Sequence, residues 1–402
     1  MPTVPIDLLN PSLSLVDPSR FRSAHIPALY VHIPFCAHKC HYCDFYSITG
    51  QTDGRMEHFV TLLLAEADLW MAGGATITPQ TVFFGGGTPT ALSIDQMRRL
   101  LNGLHDRFDC SSVNEWTVEA NPNTVTAEYC STLRGLGVNR LSFGAQSFDR
   151  AELAMLERNH NPDDVPSCVR LAREAAFARI NVDLIYAIPG QTMESWSRTL
   201  QTTLALGLLH LSCYGLTYEP NTPMTARKQL GHFVPAPEAL ELAMFHYTRE
   251  RLIEAGLPPY EISNFAAPGQ ACRHNLHYWR GGNYLGLGPS AASHIDGCRF
   301  RNRPHLGEWE RSIEAANLPA IDVESLTPRQ RAGELVMLML RLSQGVRFDD
   351  LLQRFGEEAR LWFSDPLERL QSLALIEIDK AGFRLTQKGL DVADAVAAEF
   401  LE

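Results

Sequence analysis

The chain has 402 residues, 45% of them hydrophobic and 20% charged, enough for one large domain and an appended smaller one. A formal charge of −11 argues against a broad nucleic-acid-binding face, and the longest apolar runs, such as LVMLML at 335–340, fall far short of a membrane span. The proline-rich start lacks a basic-then-apolar leader pattern, so the expected location is the cytoplasm.

Residues 1–24 read as an N-terminal extension. From there, short apolar runs alternate with helical spacing: ALYVHI (28–33), TVFFGG (81–86), EWTVEA (115–120), VNRLSFG (138–144), INVDLIY (180–186) and LSCYGLTY (211–218). Each is of strand length and precedes a stretch such as HFVTLLLAEADLW or DDVPSCVRLAREAAF, whose apolar residues recur at helical intervals. Repeated strand-helix units predict an α/β fold with a parallel sheet and right-handed crossovers. Six units predict a partial, TIM-like (β/α)6 barrel over residues 25–325. In such a barrel, chemistry gathers in the loops after the strands. Cys36, Cys40 and Cys43 follow the first run, GGGTP (85–89) the second, EANP (119–122) ends the third and GAQSF (144–148) the fourth.

Beyond residue 325 the pattern changes. TPRQRAGELVMLMLRL reads as a helix with a Thr cap and a proline in its first turn, and FDDLLQRF as another. The rest reads helix, hairpin around Ala381-Gly382, helix, so residues 326–402 are expected to form an α+β winged-helix-like domain that acts as a structural cap without DNA contact.

Nine cysteines in a chain of this size, without a leader pattern, favour metal or redox use over disulfides. Three thiolates within eight positions suit zinc or an iron-sulfur cluster. Zinc wants a fourth ligand, for which His38 and His41 lie inside the loop; no second C-x-x-C pair exists. A 4Fe-4S cluster on three cysteines keeps one iron free of protein ligands. Buried structural thiols are the third reading, disfavoured by the crowding of polar neighbours. The glycines at 85–87 allow backbone to approach a polar ligand closely, or else form only a tight turn.

C-x-x-x-C-x-x-C after the first strand resembles the signature of the radical S-adenosylmethionine (SAM) superfamily. YVHIPFC, FFGGGTPT, VEANP, RLSFGAQSF, VDLIYAIPGQT and YLGLGPSAASH together resemble the oxygen-independent coproporphyrinogen III oxidase family over nearly the whole chain. The oxidases extend the motif to C-x-x-x-C-x-x-C-x-C, whereas this chain has Phe45 at the last position, and HNLHYW (274–279) matches the HNxxYW motif of the HemW haem-chaperone branch. The resemblance implies a 4Fe-4S cluster on Cys36, Cys40 and Cys43, whose open iron chelates SAM and whose electron splits the sulfonium to a deoxyadenosyl radical. It implies Tyr30, Gly86, Gly87, Thr88 and Glu119 beside SAM, with Gln146, Arg158 and Asp183 in the second half of the cleft, where the oxidases keep a second SAM. Haem is the implied cargo, with His274 as its candidate ligand and Arg273, Arg280, Arg299, Arg301 and Arg303 available to its propionates or else solvated. Cys272, His277, Tyr278 and Trp279 share that aromatic stretch.

Implied partners are acceptor haemoproteins, respiratory and membrane-bound ones included, which would add peripheral membrane association, and an electron donor such as a flavodoxin or ferredoxin. No nucleic acid is expected. Whether SAM is cleaved or only gates transfer stays open, and so does catalysis. Oxidative decarboxylation of coproporphyrinogen III is the alternative activity, with a zinc-bearing nucleic-acid module as a third.

Overall fold

A computed structural model describes residues 16–401; of the expected N-terminal extension, residues 1–15 lie outside the described residues. Val16, Phe21 and Ala24 are buried in the main core. The six expected strands form as β1 (His25–Ile33), β2 (Thr76–Gly86), β3 (Glu115–Ala120), β4 (Arg140–Gln146), β5 (Arg179–Tyr186) and β6 (His210–Gly215), parallel and in sequence order. Helices connect them, beginning at caps that the sequence supplies: Thr52 Oγ1 accepts from Arg55 N–H ahead of helix Asp53–Ala72, and Ser93 with Gln96 makes a capping box for Ile94–His105.

The sheet continues past both ends of this arc. After β7 (Asn264–Ala266), which pairs antiparallel with β6, strand β8 (Tyr284–Leu287) adds a seventh parallel strand on the free edge of β1. β9 (Ala292–Ile295), β10 (Cys298–Asn302) and β11 (Ala320–Ser325) then extend it antiparallel, giving the order β11-β10-β9-β8-β1-β2-β3-β4-β5-β6-β7. The barrel is therefore open, with seven parallel strands where the sequence pattern predicted six. The seventh is only four residues long and glycine-containing. Its Gly286 is required because a Cβ there would meet the Ala292 carbonyl at 2.2 Å. Glu66, buried in helix Asp53–Ala72, accepts from Gly288 N–H (2.8 Å), Asn302 Nδ2 (2.6 Å) and Trp309 Nε1 (3.0 Å), and so stitches this later segment to the first helix. Burial raises its carboxyl to about 7.

Successive strand residues point to opposite faces, and here both faces are lined. Leu29, Val31, Ile33, Val82, Phe84, Trp116, Val118, Leu141, Phe143, Val182 and Leu184 belong to the main core beneath the helices. The alternate positions, Tyr30, His32, Thr81, Phe83, Glu115, Thr117, Glu119, Arg140, Ser142, Asn181, Asp183, His210 and Ser212, face the barrel interior, which is polar where parallel barrels usually pack aliphatic layers. Asn181 Nδ2 reaches Ser142 Oγ, Asp183 Oδ1 and Ser212 Oγ within 3.0 Å, while its Oδ1 lies 2.7 Å from His210 Nδ1.

The C-terminal part has its own core, including Leu335, Val336, Met339, Leu351, Leu370, Ile376, Phe383 and Phe400. Helix Pro328–Met339 starts at the expected cap, where Thr327 and Gln330 form a capping box. Helix Ser364–Ser372 leads into the hairpin of β13 (Ile376–Ile378) and β14 (Gly382–Leu385), and β12 (Val346–Arg347) adds to it in the order β12-β14-β13. A two-residue strand carries no periodicity, which is why β12 is invisible in the pattern. Leu276 and Trp279 of helix Arg273–Trp279 pack onto this second core from the barrel side. Among the described residues no helix is long and apolar enough to cross a membrane.

Candidate functional site

The carboxyl ends of β1 to β5 place the cysteine loop, the glycine run, Glu119, Gln146 and Asp183 on one rim. The cysteine loop is tied at its neck, where Cys36 N–H donates to Ile48 O (2.9 Å) and Ile48 N–H to Pro34 O (2.7 Å). Within it, Cys43 N–H reaches Cys40 O (3.2 Å), and Met224 N–H reaches His41 O (2.9 Å) from across the cleft. Tyr42 packs on a small apolar cluster with Leu156, Ile185 and Met224.

All three thiols are half-buried. Burial is the main cause that raises the Cys36 and Cys43 thiols, Cys43 to about 11, and neighbouring loop cysteines push both further. Cys36 Sγ lies 3.5 Å from Thr88 Oγ1, and Arg158 Nη1 donates to Cys40 Sγ at 3.6 Å. With these partners, no three His, Cys, Asp or Glu side chains stand at metal-holding spacing among the described residues. Of the two loop histidines, His41 takes a hydrogen bond from Arg227 (3.0 Å), while His38 Nε2 is buried without a partner.

The glycine run is tied closely to the chain around it. Gly87 N–H donates to Ile33 O (2.9 Å) and Thr88 N–H to Phe35 O (2.7 Å), so the first is taken by the end of β1 and the second by the cysteine loop. A Cβ on Gly87 would strike the Phe35 carbonyl at 2.8 Å, and one on Gly86, whose φ is +103°, would strike the His32 ring at 2.5 Å. These glycines first let two loops lie against each other. His32, whose role the sequence reading left unassigned, sits at that junction: Nε2 is 2.8 Å from Tyr46 O and Nδ1 is 3.1 Å from Tyr30 Oη. Burial lowers its imidazole to about 4, which keeps it neutral.

Glu119 receives the Gly86 N–H, yet burial, with Asp183 adding to it, raises the carboxyl to about 8. Burial also raises Asp183, against the opposing hydrogen bonds from Ser212, Ser142 and Asn181 and the Arg158 charge. Two carboxyl groups of raised affinity for protons therefore line one polar cleft. Gln146 takes a φ of +64° at a break in the β4–β5 register, and Arg158 spans from the Gly144 carbonyl to Cys40. The sequence reading kept Arg158 in the distant half of the cleft; its reach to Cys40 depends on a fold-back of 118 residues that no local signal carries.

His274 lies elsewhere. It sits at the opposite, amino-terminal end of the strands, 1% exposed, with Nδ1 2.9 Å from Thr81 Oγ1. Burial holds its imidazole down at about 3. Strands β2 and β3 and the rings of Phe83 and Tyr278 surround it. Arg299, Arg301 and Arg303, expected as propionate partners or solvated, pair with Glu324 and Glu334, with Asp322 (2.5 Å), and with Glu308 (3.8 Å).

The open parallel barrel with a three-cysteine loop after its first strand defines a radical SAM protein, and the Radical SAM superfamily model matches residues 30–203, followed by the HemN C-terminal domain model over 326–392. The chain is 34% identical over 375 residues to the heme chaperone HemW of Bacillus subtilis, covering 92% of this chain and 98% of the relative. It is 38% identical over 305 residues to that of Escherichia coli (73% and 80%), and 32% identical over 390 residues to the mouse mitochondrial radical S-adenosyl methionine domain-containing protein 1 (93% and 87%). The solved coproporphyrinogen III oxidase HemN of Escherichia coli superimposes with a TM-score of 0.84 over 95% of this chain and 92% of that one, at 24% identity, a likeness of fold. The chain belongs to the HemN/HemW family of radical SAM proteins.

Membership implies a 4Fe-4S cluster and SAM. The residues present fit them. Cys36, Cys40 and Cys43 are free, half-buried thiols on one loop, and three soft sulfur donors are the donor set of a cluster that keeps one iron free. Beside it, the paired carboxyls and the hydroxyls of Tyr30 and Thr88 line a cleft polar enough for an amino-acid and ribose portion.

Proposed function

We propose that this chain binds haem and hands it to acceptor haemoproteins, with the cluster on Cys36, Cys40 and Cys43 and SAM seated against Tyr30, Gly86, Gly87, Thr88 and Glu119. The observation that carries the reading is the identity, over nearly the full length of both chains, to relatives named heme chaperone. Phe45 supports it from the site itself. At the position where the oxidases add a cysteine, this chain turns a 66% exposed aromatic ring outward.

When bound, the cluster supplies one electron at the SAM sulfonium. The chain's own residues do the rest. His32 locks the cysteine loop to β1, the glycine loop closes over it, and Arg158 offsets thiolate charge at Cys40. Gln146 and Asp183 form the far wall of the cleft, with Arg158 reaching from it to Cys40. A flavodoxin or ferredoxin is the proposed electron donor. Acceptors on respiratory membranes fit a cytoplasmic protein that visits the membrane surface.

A haem titration followed by absorbance, on anaerobic protein with and without SAM, tests the reading. Saturable binding near one haem per chain, tightened by SAM, is expected; formation of protoporphyrinogen from coproporphyrinogen III would overturn it in favour of an oxidase.

Glu119 adds a pH signature. With its carboxyl near 8 in the free cleft, it is mostly protonated at pH 7, and the positive charge of the SAM sulfonium favours its ionised form. Binding then releases a proton below pH 8, so SAM affinity is expected to rise with pH from 6.5 to 8, by up to about tenfold per unit, and to level off above. Glu119→Gln is expected to flatten the profile. A pH-independent wild-type affinity by calorimetry would remove Glu119 from the site.

A further inference from the structure

His274 opens a motif helix, Arg273–Trp279, with two working faces. On the inner face the imidazole lies against Phe83, centroids 5.3 Å apart and planes 28° from parallel, with Tyr278 edge-on at 4.6 Å. Its Nδ1 meets Thr81 Oγ1 at 2.9 Å, and its backbone N–H donates to Glu115 Oε1 at 3.0 Å. Phe83 in turn stands 6.4 Å from the Tyr30 ring, Tyr30 Oη 3.1 Å from His32, and His32 2.8 Å from the Tyr46 carbonyl in the cysteine loop. A continuous file of contacts thus runs from the floor of the barrel to the loop that carries the thiols.

On the outer face, Leu276 and Trp279 are packed into the C-terminal core, and the Arg341 guanidinium lies 4.7 Å above the Trp279 ring. The helix cannot slide without disturbing one of these two seatings. An iron at His274 Nε2 would bring a macrocycle several times wider than the imidazole into this packing. Its Nε2, buried without a partner, is enclosed by the same packing.

We infer that His274 is a positioning residue and not the haem ligand: held by Thr81 and by the C-terminal domain through its own helix, it supports Phe83 and so fixes Tyr30 in the cofactor cleft. This rests on the reading that the cleft takes SAM. A coupling of this kind between two sites is an energy, so it is measured as one.

The experiment uses anaerobically reconstituted full-length protein, with SAM affinity from calorimetry, haem affinity from absorbance, and iron content as a control. Thr81→Val keeps the shape of the side chain and removes the hydrogen bond. It is expected to weaken SAM about fivefold, within the range by which residues that touch neither ligand change coupling between sites, with haem affinity and iron unchanged. His274→Asn places an amide where Nδ1 was and has no imidazole. It is expected to keep haem affinity within about twofold and to hold SAM better than His274→Ala does, a difference that should vanish in the Thr81→Val background. Unchanged SAM affinity in Thr81→Val overturns the inference, and so does lost haem affinity in His274→Asn. Wild-type protein that takes no SAM would instead sink the reading of the cleft beneath it.

Discussion

Cys40→Ala is expected to abolish the visible absorbance of anaerobically reconstituted protein and to bring bound iron to about a tenth of the wild-type content or less, with Cys36→Ala and Cys43→Ala equivalent. Two sulfurs hold a cluster poorly. The fold should barely notice. The loop is closed by main-chain bonds, Cys36 N–H to Ile48 O, Ile48 N–H to Pro34 O and Met224 N–H to His41 O, none of which uses a thiol. Each thiol is half-buried, so truncation costs about 1 kcal/mol or less in the apoprotein. Iron and inorganic sulfide assays beside a thermal melt separate the two effects. Wild-type iron content in any of the three variants would refute the assignment, and stoichiometric zinc in the wild type would return His38, with its unpartnered Nε2, to consideration as a fourth ligand.

Glu115→Ala is expected to have the largest effect on stability, about 3–5 kcal/mol, because it leaves a buried charge without its partner. Glu115 and Arg140 are 1% and 2% exposed and 3.5 Å apart at the amino-terminal end of β3 and β4. Oε1 also accepts from the Cys272 thiol (3.3 Å) and the His274 N–H, and Arg140 donates to the Gln270 carbonyl at 3.2 Å. The pair therefore binds two strands to the segment that enters helix Arg273–Trp279. Removing the carboxylate strands the guanidinium and releases two further donors. Urea unfolding reads the loss. The double variant Glu115→Leu/Arg140→Met should recover much of it, since no charge is then left behind. A single-variant cost below about 1 kcal/mol would show that water reaches Arg140 and that the floor is not sealed.

Much of this architecture is legible in the chain. The runs at 81–86 and 115–120 are strands because β-branched and aromatic residues alternate within them, and Thr327 begins a helix because its hydroxyl and Gln330 can satisfy each other's backbone neighbours. The thiols are close because covalent spacing keeps them close. The cofactor rim follows from the same logic, since loops after parallel strands share one end. His32 escaped notice for a definite reason: in YVHIPFC it reads as one polar position in an apolar strand, and its contact to Tyr46 comes from a loop that the strand pattern does not place.

The sequence by itself determined the order of strands and helices, the capped helix starts, the three-thiol loop and the family, all of which rest on neighbours a few residues apart or on short matched motifs. Only the tertiary structure decided which face of each strand looks into the barrel, that β8 joins β1 as a seventh parallel strand, and that His274 meets Thr81 across 193 positions on the floor. A period of two distinguishes the faces of a strand without saying which is inside, and when both faces are lined, as here, only contacts between distant segments settle it.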